Sequence, residues 1–170
     1  YGWCMSKQAF YDELNRDFAA LIAAESSFLA VMGNCSALLF ERLSEVNWAG
    51  FYLLTEPDTL VLGPFQGKIA CVRIPVGRGV CGTAVAENTV QRVADVHAFA
   101  GHIACDAASN SEIVLPVAVN GKVIGVLDID SIAYDRFDAE DEKGLRILTE
   151  TLSAALSETK IERFLQHNGS

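Results

Sequence analysis

At 170 residues, 51% of them hydrophobic and 21% charged, the chain can bury one sizeable core and reads as a single domain. A net charge of -9 argues against nucleic acid or an anionic membrane surface as a partner, because either calls for a basic face. No apolar run approaches the roughly 18 residues of a membrane span, and no basic-then-apolar leader opens the chain, so the expectation is a soluble, cytoplasmic protein.

Met5 reads as an initiator, which makes residues 1–5 a flexible start or an expression remnant and leaves Cys4 without a role. From Ser6 to about Ala24, Phe10, Leu14, Phe18 and Leu21 recur every three or four residues, the mark of an amphipathic helix. Ser26 or Ser27 can cap a second helix carrying Leu29, Met32, Leu39 and Leu43, with Cys35 on it as a small buried hydrophobe. Trp48 to Leu54 is an aromatic-rich strand. The Pro57-Asp58 turn and a return strand, Thr59 to Leu62, complete a first hairpin. Phe65 to Ala70 then links to a third strand, Cys71 to Ile74.

Residues 77–82 (GRGVCG) match G-x-G-x-x-G, yet a dinucleotide site requires a βαβ unit with an acid about 20 residues on. Position 102 is a histidine, and an antiparallel hairpin follows. The glycines read instead as a tight turn feeding a short helix, Thr83 to Glu87, that places Cys81 near a helix start, where amides and dipole favour a thiolate. Gln91 to Val93 can form a short strand, and 95–110 is a polar loop with His97, His102 and Cys105. Asn120-Gly121 between two β-branched runs predicts a tight hairpin of strands 112–119 and 122–130. A closing helix follows, capped by Asp138, with Leu145, Leu148, Leu152 and Leu156 as one stripe. The expected class is α+β: a central antiparallel sheet, helices from both termini on one face, and cysteine-bearing loops across the other.

That hairpin brings Glu112, Asp128 and Asp130 to its open end, with Asp128 and Asp130 on one face. Cys105 arrives from the preceding loop, so three acids and a thiol meet where a core would not place them. Several chemistries remain open for the cysteines. Zinc has suitable ligand types in His97, His102, Cys81 and Cys105, but no close C-x-x-C pair. A cysteine hydrolase needs a histidine fixed beside the nucleophile. Thiol redox chemistry needs an attacking thiolate, a resolving thiol and a flexible link between them, and Cys71 and Cys81 flank the glycine-rich loop.

The stretches 47–53 (NWAGFYL), 63–71 (GPFQGKIAC), 74–82 (IPVGRGVCG), 102–105 (HIAC), 111–116 (SEIVLP) and 125–131 (GVLDIDS) resemble the free methionine-(R)-sulfoxide reductases, which are GAF-domain enzymes, over about residues 8 to 160. The resemblance implies a single GAF domain over 6–160, with 161–170 as a tail. It further implies reduction of free L-methionine (R)-S-oxide with no cofactor. Cys105 would be the nucleophile that becomes a sulfenic acid, Cys71 the resolving thiol that closes a disulfide, and Cys81 an auxiliary resolver. Thioredoxin would reopen the disulfide, and the chain would be a homodimer. The family's acids at Glu112 and Asp130 engage the sulfoxide oxygen, that at Asp128 helps hold the substrate amino group, and Trp48 and Tyr52 wall the methyl pocket. A sulfoxide sulfur becomes a good electrophile only as its oxygen takes up a proton, so a carboxyl with a raised pKa is the suitable acid, and the crowded hairpin mouth supplies that environment. The competing class is a non-catalytic GAF sensor binding a small ligand.

Overall fold

The structure, a computed structural model, describes residues 5–103 and 108–168. Ser6 opens α1 (Lys7–Ile22) by accepting a hydrogen bond from Ala9 N at its side chain, and Ser27 does the same for α2 (Phe28–Arg42) through Ala30 N. Each thereby satisfies an amide that the helix itself cannot pair. The buried stripe of α1 is Phe10, Tyr11, Leu14, Phe18 and Ile22. Leu21, expected in that stripe, is exposed, because the step from Phe18 that stays on the buried face is four residues and not three. In α2, Met32, Cys35 and Leu39 are buried while Leu29 points to solvent.

The strands are β1 (Val46–Glu56), β2 (Thr59–Gly67), β3 (Arg73–Pro75), β4 (Gln91–Val93), β5 (Ser111–Val119) and β6 (Lys122–Ser131). Helix α3 (Gly79–Glu87) lies between β3 and β4, starting earlier than the expected Thr83 and so taking Cys81 into its first turn. Strand β2 runs past Leu62, and Phe65, expected in a linker, pairs with Gly50. Asn120 and Gly121 turn the β5–β6 hairpin with φ of +50° and +79°, the two positive values that an Asn-Gly turn supplies. The chain closes with α4 (Ala139–Ser157) and α5 (Ile161–Asn168). The segment 161–170, expected as a tail, therefore carries a helix, and Ile161 at its start is fully buried.

The sheet order is β3-β2-β1-β6-β5-β4, antiparallel at every pairing. Side chains alternate across it, so it divides the protein into two cores. On one face Ala49, Phe51, Leu53, Ile113, Leu115, Leu127 and Ile129 pack under α1, α2 and α4. On the other face Trp48, Tyr52, Val114 and Val126 meet Val80, Cys81 and Ala84 of α3. This is the α+β layering expected from the sequence, with the site on the smaller, α3 side.

The large face is locked by one polar cluster. Asp141, fully buried in α4, accepts from Tyr11 Oη at 2.7 Å, Lys7 Nζ at 2.7 Å and Asp138 N at 2.9 Å. Asp138 in turn caps α4 through Glu140 N and Asp141 N, so the start of α4 is bolted to α1. The two helices approach closely at Gly144, where an added Cβ would lie 2.2 Å from Tyr11 Cγ. Tyr11 cannot retreat without giving up its bond to Asp141. Gly144→Ala gains about 1 kcal/mol of helix propensity but forces an overpacked contact costing about 1–3 kcal/mol. The variant is therefore expected to melt below the wild type in a thermal denaturation, and an unchanged or higher melting temperature would show that the helices separate freely.

Candidate functional site

The register of three neighbouring strands builds the site. Across β1, β6 and β5 one row is Trp48, Asp130 and Glu112, and the next is Gly50, Asp128 and Val114. Residues opposite each other in an antiparallel pair share a face, so all three acids project to the α3 side, as the hairpin predicted. They do not form a solvated strand end: Glu112 and Asp128 are 8% and 5% exposed. The pocket they line also takes in Trp48, Tyr52 and Cys81.

The aromatic wall is continuous. Trp48 stacks on Tyr52 at 5.8 Å between ring centroids and on Phe65 at 5.2 Å. Both pocket aromatics use their polar ends to hold the loop after β2: Trp48 Nε1 donates to the Lys68 carbonyl at 3.2 Å, and Tyr52 Oη donates to the Cys71 carbonyl at 2.9 Å. Burial, then the nearby Asp128, Cys81, Asp130 and Glu112, push the Tyr52 pKa far up, so its phenol stays a donor. The wall is thus also the clamp on the segment bearing Cys71.

Of the cysteines, Cys71 is disulfide-bonded and Cys35 and Cys81 keep free thiols. Cys105, expected as the nucleophile, lies outside the described residues. Cys35 is buried in the large core and its pKa is raised by burial. For Cys81 the expectation of a thiolate at a helix start is overturned. Its pKa lies well above the ordinary thiol value, because burial and the charges of Glu112 and Asp130 outweigh the hydrogen bond to Asp128. One turn of helix dipole does not offset full desolvation beside carboxylates. Cys81 Sγ instead donates to Asp128 Oδ2 at 3.5 Å, while Asp128 Oδ1 is buried without a hydrogen-bond partner among the described residues.

The upward push on a carboxyl falls on Asp128. Burial first, then Asp130, Cys81 and Glu112, raise its pKa well above the ordinary range. Cys81, Glu112 and Asp128 bring one ligand atom each within 4.8 Å of one another, a set that differs from the His97, His102, Cys81 and Cys105 weighed for zinc. Holding a cation there would require expelling the protons of both Cys81 and Asp128. His97 and His102 face each other at 6.3 Å between centroids, and the His102 pKa is lowered by burial and by His97 against the pull of Asp130.

The sequence reading missed Phe65 as part of the wall and Ile103 as part of the lining. Ile103 packs on Gly79, whose φ of +64° and whose missing Cβ, 3.2 Å from Ile103 Cγ1 if present, let the segment before residue 104 come down on α3. The glycine-rich turn, expected as a tight turn feeding α3, is therefore also a seat for that segment.

Asp128 generates a test. A carboxyl whose pKa is raised on folding binds its proton more tightly in the folded chain, so stability falls as the pH climbs from the ordinary carboxylate pKa to the raised one. Asp128→Asn removes that loss. It is expected to melt a few degrees above the wild type at pH 8, at about 2–4 °C per kcal/mol relieved, and to lose the advantage as the pH falls toward 4. Parallel melting curves across that range would show that Asp128 is not held protonated.

Against known proteins, residues 35–157 match the family model described as a GAF domain. The chain is 68% identical to the free methionine-R-sulfoxide reductase of Escherichia coli over 160 residues, covering 94% of this chain and 96% of that one. Among solved structures it is similar to a fRMsr of Staphylococcus aureus in complex with substrate (52% identity, TM-score 0.82, covering 86% and 95% of the two chains). It is also similar to a free methionine-R-sulfoxide reductase from Neisseria meningitidis in complex with its substrate (39% identity, TM-score 0.87, covering 95% and 97%).

Proposed function

Since the chain belongs to the GAF-domain free methionine-(R)-sulfoxide reductases, we propose that it reduces free L-methionine (R)-S-oxide to methionine in the pocket bounded by Trp48, Tyr52, Glu112, Asp128 and Asp130. The observation that carries this reading is the acid trio, Glu112 and Asp128 buried and Asp130 half-buried, facing an aromatic wall beside the Cys71 disulfide. Such a trio suits a substrate that brings an ammonium group among the carboxyls. As the ammonium enters, its charge lowers the Asp128 pKa and draws off the proton held there. Trp48, stacked between Tyr52 and Phe65, offers the apolar surface for the S-methyl end.

Glu112 and Asp130, directly opposite one another, are the groups we assign to the sulfoxide oxygen. Two carboxyls on facing strands can share a proton, and the oxygen must receive one before sulfur becomes a good electrophile. In our reading the Cys105 thiolate attacks the substrate sulfur, the oxygen passes to Cys105 as a sulfenic acid, and methionine leaves with the electron pair. Cys71 then displaces hydroxide, which takes up a proton to leave as water, and the two cysteines are joined as a disulfide. One sulfoxide and two thiols thus give one sulfide, one disulfide and one water. A dithiol reductant such as thioredoxin restores the thiols, Cys81 serves as an auxiliary resolver when Cys71 is engaged, and a homodimer is the proposed assembly. The competing sensor reading leaves the Cys71 disulfide without a use.

The reading is tested by substrate form and by thiol counting. Free methionine-(R)-sulfoxide is expected to be reduced at least about 10³-fold more efficiently than a peptide carrying it, because the peptide bond removes the charge and leaves buried acids unpaired. Comparable kcat/KM for the two would refute the pocket assignment. Without added reductant, Cys105→Ser should release no methionine, whereas Cys71→Ser should release one per chain and stall. A methionine burst from Cys105→Ser would mean that another residue is the nucleophile.

A further inference from the structure

We propose that the loop from Lys68 to Arg78 is the docking surface for a protein reductant, a dithiol oxidoreductase whose thiols sit in an apolar rim with an acidic flank. The inference rests on the assignment of Cys71 to the redox cycle and names where, on this chain, the electrons enter.

Three observations converge on the loop. Ile69 is 92% exposed, where no other large hydrophobic among the described residues exceeds the 59% of Tyr134, and Val72 is 53% exposed. A single exposed aliphatic is unremarkable on a protein surface. Here two of them flank, at positions 69 and 72, the disulfide-bonded Cys71 that a reductant has to reach. The second observation is charge. Residues 66–79 contain Lys68, Arg73 and Arg78 and no acid, in a chain of net charge -9. Arg73 is held by Glu56 at 2.8 Å, while Lys68 and Arg78 are exposed, so this stretch offers a local basic rim to an acidic partner.

The third observation is that the loop is held in place. Its backbone carbonyls at Lys68, Cys71 and Val72 accept from Trp48 Nε1, Tyr52 Oη and Leu62 N. A surface that is already ordered loses little freedom when a partner covers it, and that lowers the cost of binding. Ile69, exposed to this degree at the rim of the pocket, adds little to the packing of the fold. Against a partner's apolar rim it can be buried, and it then carries interface energy.

The exchange balances. The partner's thiolate attacks the Cys71 sulfur; the bond to the other cysteine breaks, and that sulfur leaves with the electron pair and takes up a proton. The partner's second thiol then displaces Cys71 from the mixed disulfide. The chain departs as a dithiol and the partner as a disulfide, oxidised by two electrons. Dithiothreitol carries out the same chemistry without docking, and this separates recognition from reactivity.

The experiment compares thioredoxin, recycled by its reductase and NADPH, with dithiothreitol as the reductant for wild type, Val72→Asp and the Lys68→Glu/Arg78→Glu double variant. Val72→Asp, at a side chain outside the pocket, is expected to raise the KM for thioredoxin about tenfold, the order for losing one central interface residue, with dithiothreitol-supported turnover at the wild-type level. The double variant should raise the same KM and flatten its dependence on salt. Thioredoxin with its resolving cysteine replaced by serine should be trapped on Cys71. An unchanged thioredoxin KM in both variants, an equal loss with dithiothreitol, or trapping on a different cysteine would overturn the docking surface. If wild type loses no thiols on addition of methionine sulfoxide, the underlying redox assignment has failed, whatever the docking variants do.

Discussion

The structure is governed by the crowding of carboxyl groups at one end of the β1-β6-β5 ribbon. Glu112 and Asp130 face each other across paired strands, Asp128 lies two residues along, and the region is buried. Like charges in that position repel and are poorly solvated, and an isolated buried charge costs several kcal/mol. The protein tolerates the arrangement in two ways. It raises the Asp128 pKa, so that carboxyl holds its proton more tightly than in the unfolded chain, and it fixes the strands from behind with a large apolar face, so repulsion in front cannot spread them. A cationic group placed among these carboxyls would relieve that repulsion.

The same economy of parts is visible in the aromatic wall. Trp48 and Tyr52 line the pocket with their rings and turn polar ends to the carbonyls of Lys68 and Cys71. An amphipathic side chain suits this use because its apolar body and its donor point in different directions. The wall of the binding site and the support of the disulfide loop are therefore one structure, and neither can be moved without disturbing the other. Cys81 closes the pocket from α3 as a neutral thiol hydrogen-bonded to Asp128. Its environment, buried among the acids, opposes ionisation.

The separation of the two cores explains how a fold shared by binding modules accommodates a reaction. The helices α1, α2 and α4 and the Lys7–Tyr11–Asp141 cluster stabilise the sheet from one side. The other side is left to α3, short strands and loops, where polar and reactive side chains do not threaten folding. Chemistry resides on that second face, and the scaffold beneath it is indifferent to which chemistry that is.

The sequence by itself determined whatever depends on neighbours along the chain. Ser6, Ser27 and Asp138 announced their helices, Asn120-Gly121 announced the central hairpin, and the pairing that follows from a two-residue turn brought Glu112, Asp128 and Asp130 together. The stretches around Trp48, Cys71 and Cys81 carried the resemblance to the family. Tertiary structure alone decided what depends on the surroundings in space. It put Ile22 rather than Leu21 against the core, drew Phe65 into the wall, buried α5 at Ile161, and turned Cys81 from an expected thiolate into a thiol. The physical reason is common to these cases. Hydrogen bonds in caps and turns are local, whereas desolvation and charge crowding are set by residues distant in sequence, and only the folded chain fixes how much water each group loses.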